Sequence, residues 1–119
     1  MLNNVAVASA LGYLRVQSKT LIDIKDVNKY KPDEVCLLIT GSQGEPMSAL
    51  SRMANGSHRQ IEVGPDDTII LSASMIPGNE KGIGDMINQL MLRGCKVIYS
   101  SLQNVHVSGH ACQEEIKLM

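Results

Sequence analysis

The chain has 119 residues but no phenylalanine and no tryptophan, and only three tyrosines. This shortage argues against a surface on which nucleic-acid bases stack on aromatic rings. Apolar residues nevertheless make up 44% of the chain, as in an ordinary globular domain. The core must therefore be built from leucine, isoleucine, valine, methionine and alanine.

Cysteine is also scarce, and the three present, Cys36, Cys95 and Cys112, form no C-x-x-C pair. An odd number without paired spacing predicts reduced, mostly buried thiols in a cytoplasmic protein. Neither charge sign dominates, with 11 basic and 12 acidic residues, so no overall field requires a nucleic acid or a membrane surface. No apolar run approaches the roughly 18 residues of a membrane span, and no signal peptide is visible, so we expect no membrane partner.

The most informative stretch covers residues 35–54 and reads VCLLITGSQGEPMSALSRMA. Residues 35–39 have the length and composition of a buried strand. A small polar loop with two glycines follows, then Glu45-Pro46 as a helix start, and then apolar residues at helical spacing. A strand, a glycine-bearing loop and a helix N-terminus favour an anion. The same pattern also fits an ordinary, well-capped turn.

Elsewhere strand-like and helix-like patterns alternate. They predict a helix over 5–16, a short strand over 21–24, strands over 58–63, 68–72 and 95–99, and a helix over 82–92. This alternation predicts an α/β fold in three layers: a mainly parallel, Rossmann-like sheet with flanking helices. In such a sheet the loops that follow the strands emerge at one edge, so we expect residues 41–45, 72–80 and 100–110 to converge there.

The last of these loops contains two histidines, His106 and His110, with Ser108 and Gly109 between them. Two histidines four residues apart are weak evidence for a metal site, because the intervening Ser-Gly breaks a helix and no third ligand is evident. Loop histidines that hydrogen-bond to backbone atoms are the alternative.

Two blocks of sequence resemble ribonuclease J, a member of the β-CASP branch of the metallo-β-lactamase superfamily. They are TGSQGEPMSALSRMANGSHRQI, residues 40–61, and VHVSGHACQEEIKLM, residues 105–119, with PGNE between them. The resemblance implies a single β-CASP-like domain over residues 1–119, excised from a longer metal-dependent 5′-exo/endoribonuclease.

The resemblance also implies roles for individual residues. In the family, the histidine of the S-G-H motif lies beside the scissile phosphate, where it donates a proton or stabilises charge, and it matches His110. The other matched positions line the RNA side or contact RNA phosphates: Ser42, Gln43, Glu45, His106, Ser108 and Gly109.

The family's two-metal centre, with zinc or manganese, depends on an H-x-H-x-D-H motif that these residues do not contain. The resemblance therefore implies no metal ligand in this chain, and RNA and the missing metallo-β-lactamase domain as its partners. Since metal-activated water is the nucleophile in two-metal hydrolysis, we expect the chain alone to be inactive.

Two other classes of function fit the composition. A free-standing nucleotide- or phosphate-binding Rossmann-like module is one, although neither G-x-G-x-x-G nor a P-loop is present. A structural domain that forms a homo-oligomer through its methionine-rich helices is the other, although such stripes more often belong to a core.

Overall fold

The computed structural model describes residues 2–17, 19–100, 102, 105–106 and 109–118. The chain divides into two compact units, Met1–Ile39 and Thr40–Met119. Among the described residues, no helix combines the length and apolar character that crossing a membrane requires.

The first unit contains helix α1, Leu2–Ala10, and two 3-10 helices, Ile24–Lys29 and Pro32–Glu34. Helix α1 ends earlier than the predicted residue 16, because Gly12 adopts a left-handed φ of 79° just after it. The strand predicted over 21–24 is wrong. Asp23 instead caps the first 3-10 helix, its carboxylate accepting a hydrogen bond from the Lys25 amide at 2.9 Å.

The strand predicted over residues 35–39 is also wrong, since the structure contains no regular element there. Leu37 and Leu38 are 38% and 71% exposed. An apolar run has the composition of a buried strand, but a strand also needs a neighbour for its backbone groups. Among the described residues, the one ladder joins two other segments.

The second unit is a small α/β arrangement. Its elements are α2, Ala49–Ala54; β1, Thr68–Leu71; α3, Glu80–Leu92; β2, Lys96–Tyr99; and α4, Gln113–Lys117. Strands β1 and β2 are parallel, with Thr68 opposite Lys96 and Leu71 opposite Tyr99, and α3 forms the crossover between them. The described part of the sheet has two strands, fewer than the sequence predicts.

The strand predicted over 58–63 is not present. The chain turns there instead, and Nδ1 of His58 accepts a hydrogen bond from the Ile61 amide at 3.2 Å. A short alternating pattern predicts a strand, but a side chain that accepts from a nearby amide favours a turn.

Helices α2 and α3 pack their apolar faces together. The buried residues are Leu50, Met53 and Ala54 of α2 and Ile83, Met86, Ile87 and Leu90 of α3. Met47, just before α2, is 83% exposed. The helix begins only after Ser48, whose hydroxyl caps it by accepting from the Ser51 amide, so Met47 precedes the first turn. Met91, next to the buried Leu90 near the end of α3, is 59% exposed.

The cysteines differ from one another. Cys95 is buried before β2, whereas Cys36 and Cys112 are exposed, so the prediction of mostly buried thiols is wrong for two of the three. Burial raises the pKa of the Cys95 thiol, and the negative charge of Asp67 adds to the rise.

Candidate functional site

Polar loops surround the carboxyl end of β1. We name them the glycine loop (residues 41–45), the β1–α3 loop (residues 72–80) and the histidine segment (its described residues 105–106 and 109–110). The first two loops and residues 105–106, which are joined by hydrogen bonds, form the rim. Helix α3 begins directly after the β1–α3 loop, so its N-terminal turn lies at the rim.

Gln43 joins the glycine loop to the β1–α3 loop. Its Nε2 donates to the carbonyl oxygen of Ser74 at 2.9 Å, and its Oε1 accepts from the Ile76 amide at 3.0 Å. Nδ2 of Asn79 lies 3.4 Å from the same Oε1. One side chain thus links two segments that are more than 30 residues apart in sequence.

Ser72 joins the β1–α3 loop to the histidine segment. Its hydroxyl donates to the carbonyl oxygen of Val105 at 2.8 Å, and its own carbonyl oxygen lies 3.0 Å from Nδ1 of His106. Because a carbonyl oxygen can only accept, Nδ1 of His106 must carry the proton in this contact. In the neutral ring, Nε2 is then the nitrogen with the lone pair.

These contacts bring parts of all three loops together beyond the carboxyl end of β1. Parallel pairing accounts for the loops that follow β1 and β2, whereas the glycine loop follows no described strand and is held there by Gln43. Gln43 and His106 both lie on this rim. Ser108 lies outside the described residues, and Gly109 and His110 are exposed. Helix α4 follows them, with the Cys112 amide donating to the Glu115 carboxylate at 2.7 Å.

Two backbone amides of the glycine loop, those of Gln43 and Gly44, are paired within the chain. The Gln43 amide donates to the Glu45 carboxylate at 3.2 Å, and the Gly44 amide donates to the Gly41 carbonyl oxygen at 3.2 Å. Beyond the loop, Leu50 donates to the Thr40 carbonyl oxygen. A free-amide anion site was one interpretation of this sequence, but these donors already have acceptors. These two amides are therefore not available to a ligand, and contacts from this loop fall to its other amides and to side chains such as Ser42, which is partly buried, and Glu45, which is exposed.

Gly44 is where the glycine loop meets α3. Its φ is 73°, and a Cβ atom built on it would lie 2.5 Å from the carbonyl carbon of Gly82 and 2.7 Å from the Ile83 nitrogen. Only glycine allows both this left-handed conformation and this approach of two backbones. The residue type in the sequence therefore fixes the distance between the loop and the start of α3.

Three contact residues were not singled out from the sequence: Ser72, Ser74 and Asn79. Their place in the sequence could have identified them, because they follow a predicted buried strand in the loop that is expected to reach the same edge. Two surface depressions, both lined by Arg93, lie elsewhere, since Arg93 follows the opposite end of α3. Within the described ranges, no three His, Cys, Asp or Glu side chains are grouped as metal ligands.

The fold and the rim define a class of protein. It is an α/β domain in which polar loops meet beyond the carboxyl end of a parallel strand, where such sheets bind ligands. The model of the Ribonuclease J beta-CASP domain matches residues 1–90. The chain is 47% identical to Ribonuclease J of Helicobacter pylori strain B128 over 119 residues, which cover all of this chain and 17% of that protein.

Two further relatives show the same pattern. Identity is 48% over 116 residues to Ribonuclease J of Mycobacterium tuberculosis strain CDC 1551, covering 98% of this chain and 21% of the relative. It is 42% over 119 residues to Ribonuclease J of Synechocystis, covering all of this chain and 19% of the relative. The chain therefore belongs to the ribonuclease J family. It spans about a fifth of the length of these curated relatives.

Proposed function

We propose that this chain forms the RNA-holding side of the active-site cleft of a longer, cytoplasmic ribonuclease J-type enzyme. The observation that supports this most strongly is the junction at Ser72, which holds the histidine segment at the same edge as the glycine loop. In the complete protein, we expect further strands to extend the two-stranded sheet into the three-layer β-CASP arrangement.

The rim holds RNA phosphates through polar side chains and exposed backbone. The resemblance implies that Ser42, Gln43 and Glu45 line the RNA side of the rim and that His106, Ser108 and Gly109 contact RNA phosphates. Within this set, the Nδ1–H of His106 is used by the Ser72 carbonyl oxygen, so its Nε2 is the atom directed to a ligand. When the ring is protonated, Nε2–H donates to a phosphate oxygen.

His110 is the proposed catalytic residue of this side. A protonated imidazole can donate a proton to the oxygen that leaves phosphorus, and its positive charge can stabilise negative charge on the phosphate. An exposed position on a loop lets it reach a substrate held by the rim.

The family resemblance implies zinc or manganese, which would activate the attacking water. No group of three ligating side chains exists in the part of the chain that the structure describes, so these residues do not fit a metal centre by themselves. We propose that the ligands belong to the metallo-β-lactamase domain of the complete enzyme. The 119 residues alone are then expected to bind RNA without cleaving it.

The alternative of a free-standing nucleotide-binding module is less well supported. Such a module cradles phosphates with free backbone amides, and amides of the glycine loop donate instead to Glu45 and Gly41.

The test uses a chimera in which this chain replaces the 119 aligned residues of Helicobacter pylori Ribonuclease J. We expect His110→Ala to lower turnover of a 5′-monophosphorylated RNA about 100-fold, the usual loss when a general acid is removed. Affinity for RNA and metal content should stay unchanged.

The matched control is His58→Asn. His58 accepts from the Ile61 amide in a turn away from the rim residues, and asparagine supports the same kind of local turn. Equal turnover in the His110→Ala and His58→Asn chimeras would contradict the role of His110.

A further inference from the structure

We infer that Gln43 is a positioning residue, which orders the RNA-binding rim by fixing the β1–α3 loop to the glycine loop. The inference rests on the proposed function and assigns Gln43 a task different from direct contact with RNA. It depends on the hydrogen bonds that both ends of the Gln43 carboxamide make within the chain.

The contacts of Gln43 are of the kind that order a loop. Its Nε2 donates to the Ser74 carbonyl oxygen, and its Oε1 accepts from the Ile76 amide, so both ends of one planar group bind backbone atoms two residues apart. This pairing fixes which end is oxygen and which is nitrogen. The side chain of Gln43 therefore joins the two loops with one donated and one accepted hydrogen bond, as a backbone peptide group would.

Asn79 supports the same interpretation. Asparagine is a favoured N-cap, and Asn79 occupies that position on α3, yet its side chain does not cap the helix. Its Nδ2 lies 3.4 Å from Oε1 of Gln43 instead. The amide group that ordinarily closes a helix start is thus turned toward the glutamine of the neighbouring loop.

The close approach of Gly44 to Gly82 places Gln43 in register with these partners. The backbone of the glycine loop lies against the first turn of α3, so the residue before Gly44 is held beside the β1–α3 loop. The Gln43 amide also donates to Glu45, which restrains the backbone from which the side chain extends. The same β1–α3 loop contacts Val105 and His106 through Ser72. Disorder of the β1–α3 loop would therefore also weaken the positioning of His106.

The experiment compares three variants of this chain: Gln43→Met, Gln43→Glu and Gln89→Met. Methionine keeps the length and removes both hydrogen bonds. Glutamate keeps an acceptor for the Ile76 amide and loses the donor to Ser74. Gln89 is an exposed glutamine on α3 and serves as the matched control.

Two quantities are measured: hydrogen exchange of the Ile76 amide by NMR, and affinity for a short 5′-monophosphorylated oligoribonucleotide by fluorescence anisotropy. We expect Gln43→Met to speed Ile76 exchange about tenfold and to weaken RNA binding about fivefold, as the loss of two hydrogen bonds allows. Gln43→Glu should keep most of the protection at Ile76 and part of the affinity, and Gln89→Met should change neither quantity.

Unchanged Ile76 exchange in Gln43→Met overturns the inference, and weaker RNA binding with unchanged exchange assigns Gln43 to direct contact instead. Faster exchange with unchanged RNA affinity also overturns it, because the loop would then be ordered for some other reason. Failure of the unaltered chain to bind RNA would overturn the proposed function and the RNA part of this inference. The link between the two loops would still be decided by Ile76 exchange.

Discussion

Two parts of the rim are built in opposite ways. The glycine loop lies against α3 with no room for a Cβ atom at Gly44, and its side chain Gln43 is bound to the β1–α3 loop. The histidine segment is held to Ser72 by contacts at Val105 and His106, and Gly109 and His110 are exposed beyond them.

The difference separates shape from chemistry. A close backbone approach fixes the position of a loop, whereas an exposed histidine can meet a substrate and donate a proton to it. The packed glycine loop is bound to the β1–α3 loop, which in turn holds Val105 and His106. Each prediction below alters one side of this comparison.

The largest effect is expected from Gly44→Ala. The new Cβ atom would meet the backbone of Gly82 and would force a left-handed φ on alanine. Strain and overpacking together should lower the free energy of unfolding by about 3 kcal/mol. Chemical denaturation followed by circular dichroism measures this loss.

The control is Gly84→Ala in the middle of α3, where a Cβ atom meets nothing within 4 Å. Alanine should stabilise this helix by about 0.5–1 kcal/mol. If both substitutions change stability alike, the contact between Gly44 and Gly82 does not determine the position of the glycine loop.

A smaller effect is expected in cysteine reactivity, which compares the packed core with the exposed segment after His110. Burial and the charge of Asp67 raise the pKa of the Cys95 thiol. At a given pH, a smaller fraction of Cys95 than of an ordinary cysteine is therefore the reactive thiolate. Iodoacetamide at pH 8 should modify Cys112 at least about tenfold faster than Cys95. Peptide mass spectrometry measures both rates.

Because its pKa is raised, alkylation of Cys95 should keep increasing with pH beyond the point at which an ordinary thiol is fully ionised. In denaturant the two cysteines should react at similar rates. Equal rates in the native chain would mean that the strand β2 and its neighbours do not protect Cys95.

The smallest effect is expected from Ser72→Ala. The substitution removes the hydroxyl that donates to Val105 but leaves the carbonyl oxygen that His106 contacts. Stability should fall by about 1 kcal/mol or less, because one exposed hydrogen bond is lost. RNA affinity should fall by about threefold to fivefold, as the same principle allows for one bond.

Nitrogen NMR supplies the second readout of this variant. Neutral His106 should carry its proton on Nδ1 in the unaltered chain and also in Ser72→Ala, because the substitution leaves the Ser72 carbonyl oxygen in place. A mixture already present in the unaltered chain would contradict the contact between His106 and Ser72.

Much of the second unit follows from its sequence. The spacing of Ile83, Met86, Ile87 and Leu90 predicts α3, and β1 and β2 lie where β-branched runs predict them. These segments are predictable because local pattern and burial agree. Parallel pairing of β1 and β2 explains why the segments after these two strands meet, but it does not explain the position of the glycine loop, which follows no described strand.

Other features depend on partners that sequence pattern does not contain. Residues 35–39 are apolar enough for a buried strand, but no described strand pairs with them. The pairing of the glycine-loop amides with Glu45 and Gly41 depends on local geometry, and the contacts of Gln43 depend on residues more than 30 positions away. A glycine-rich loop whose amides are open to a ligand and one whose amides are paired within the chain have the same sequence pattern.

The central claim is that three separate loops form one RNA-binding rim. Titration of the isotopically labelled chain with a short 5′-monophosphorylated oligoribonucleotide tests it directly. The account predicts that amide resonances of residues 41–45, 74–79 and 105–110 shift together with one apparent Kd, while those of Asn55 and Arg93, beside the depressions at the far end of α3, stay in place. Shifts confined to Asn55 and Arg93, or different apparent Kd values for the three loops, would contradict it.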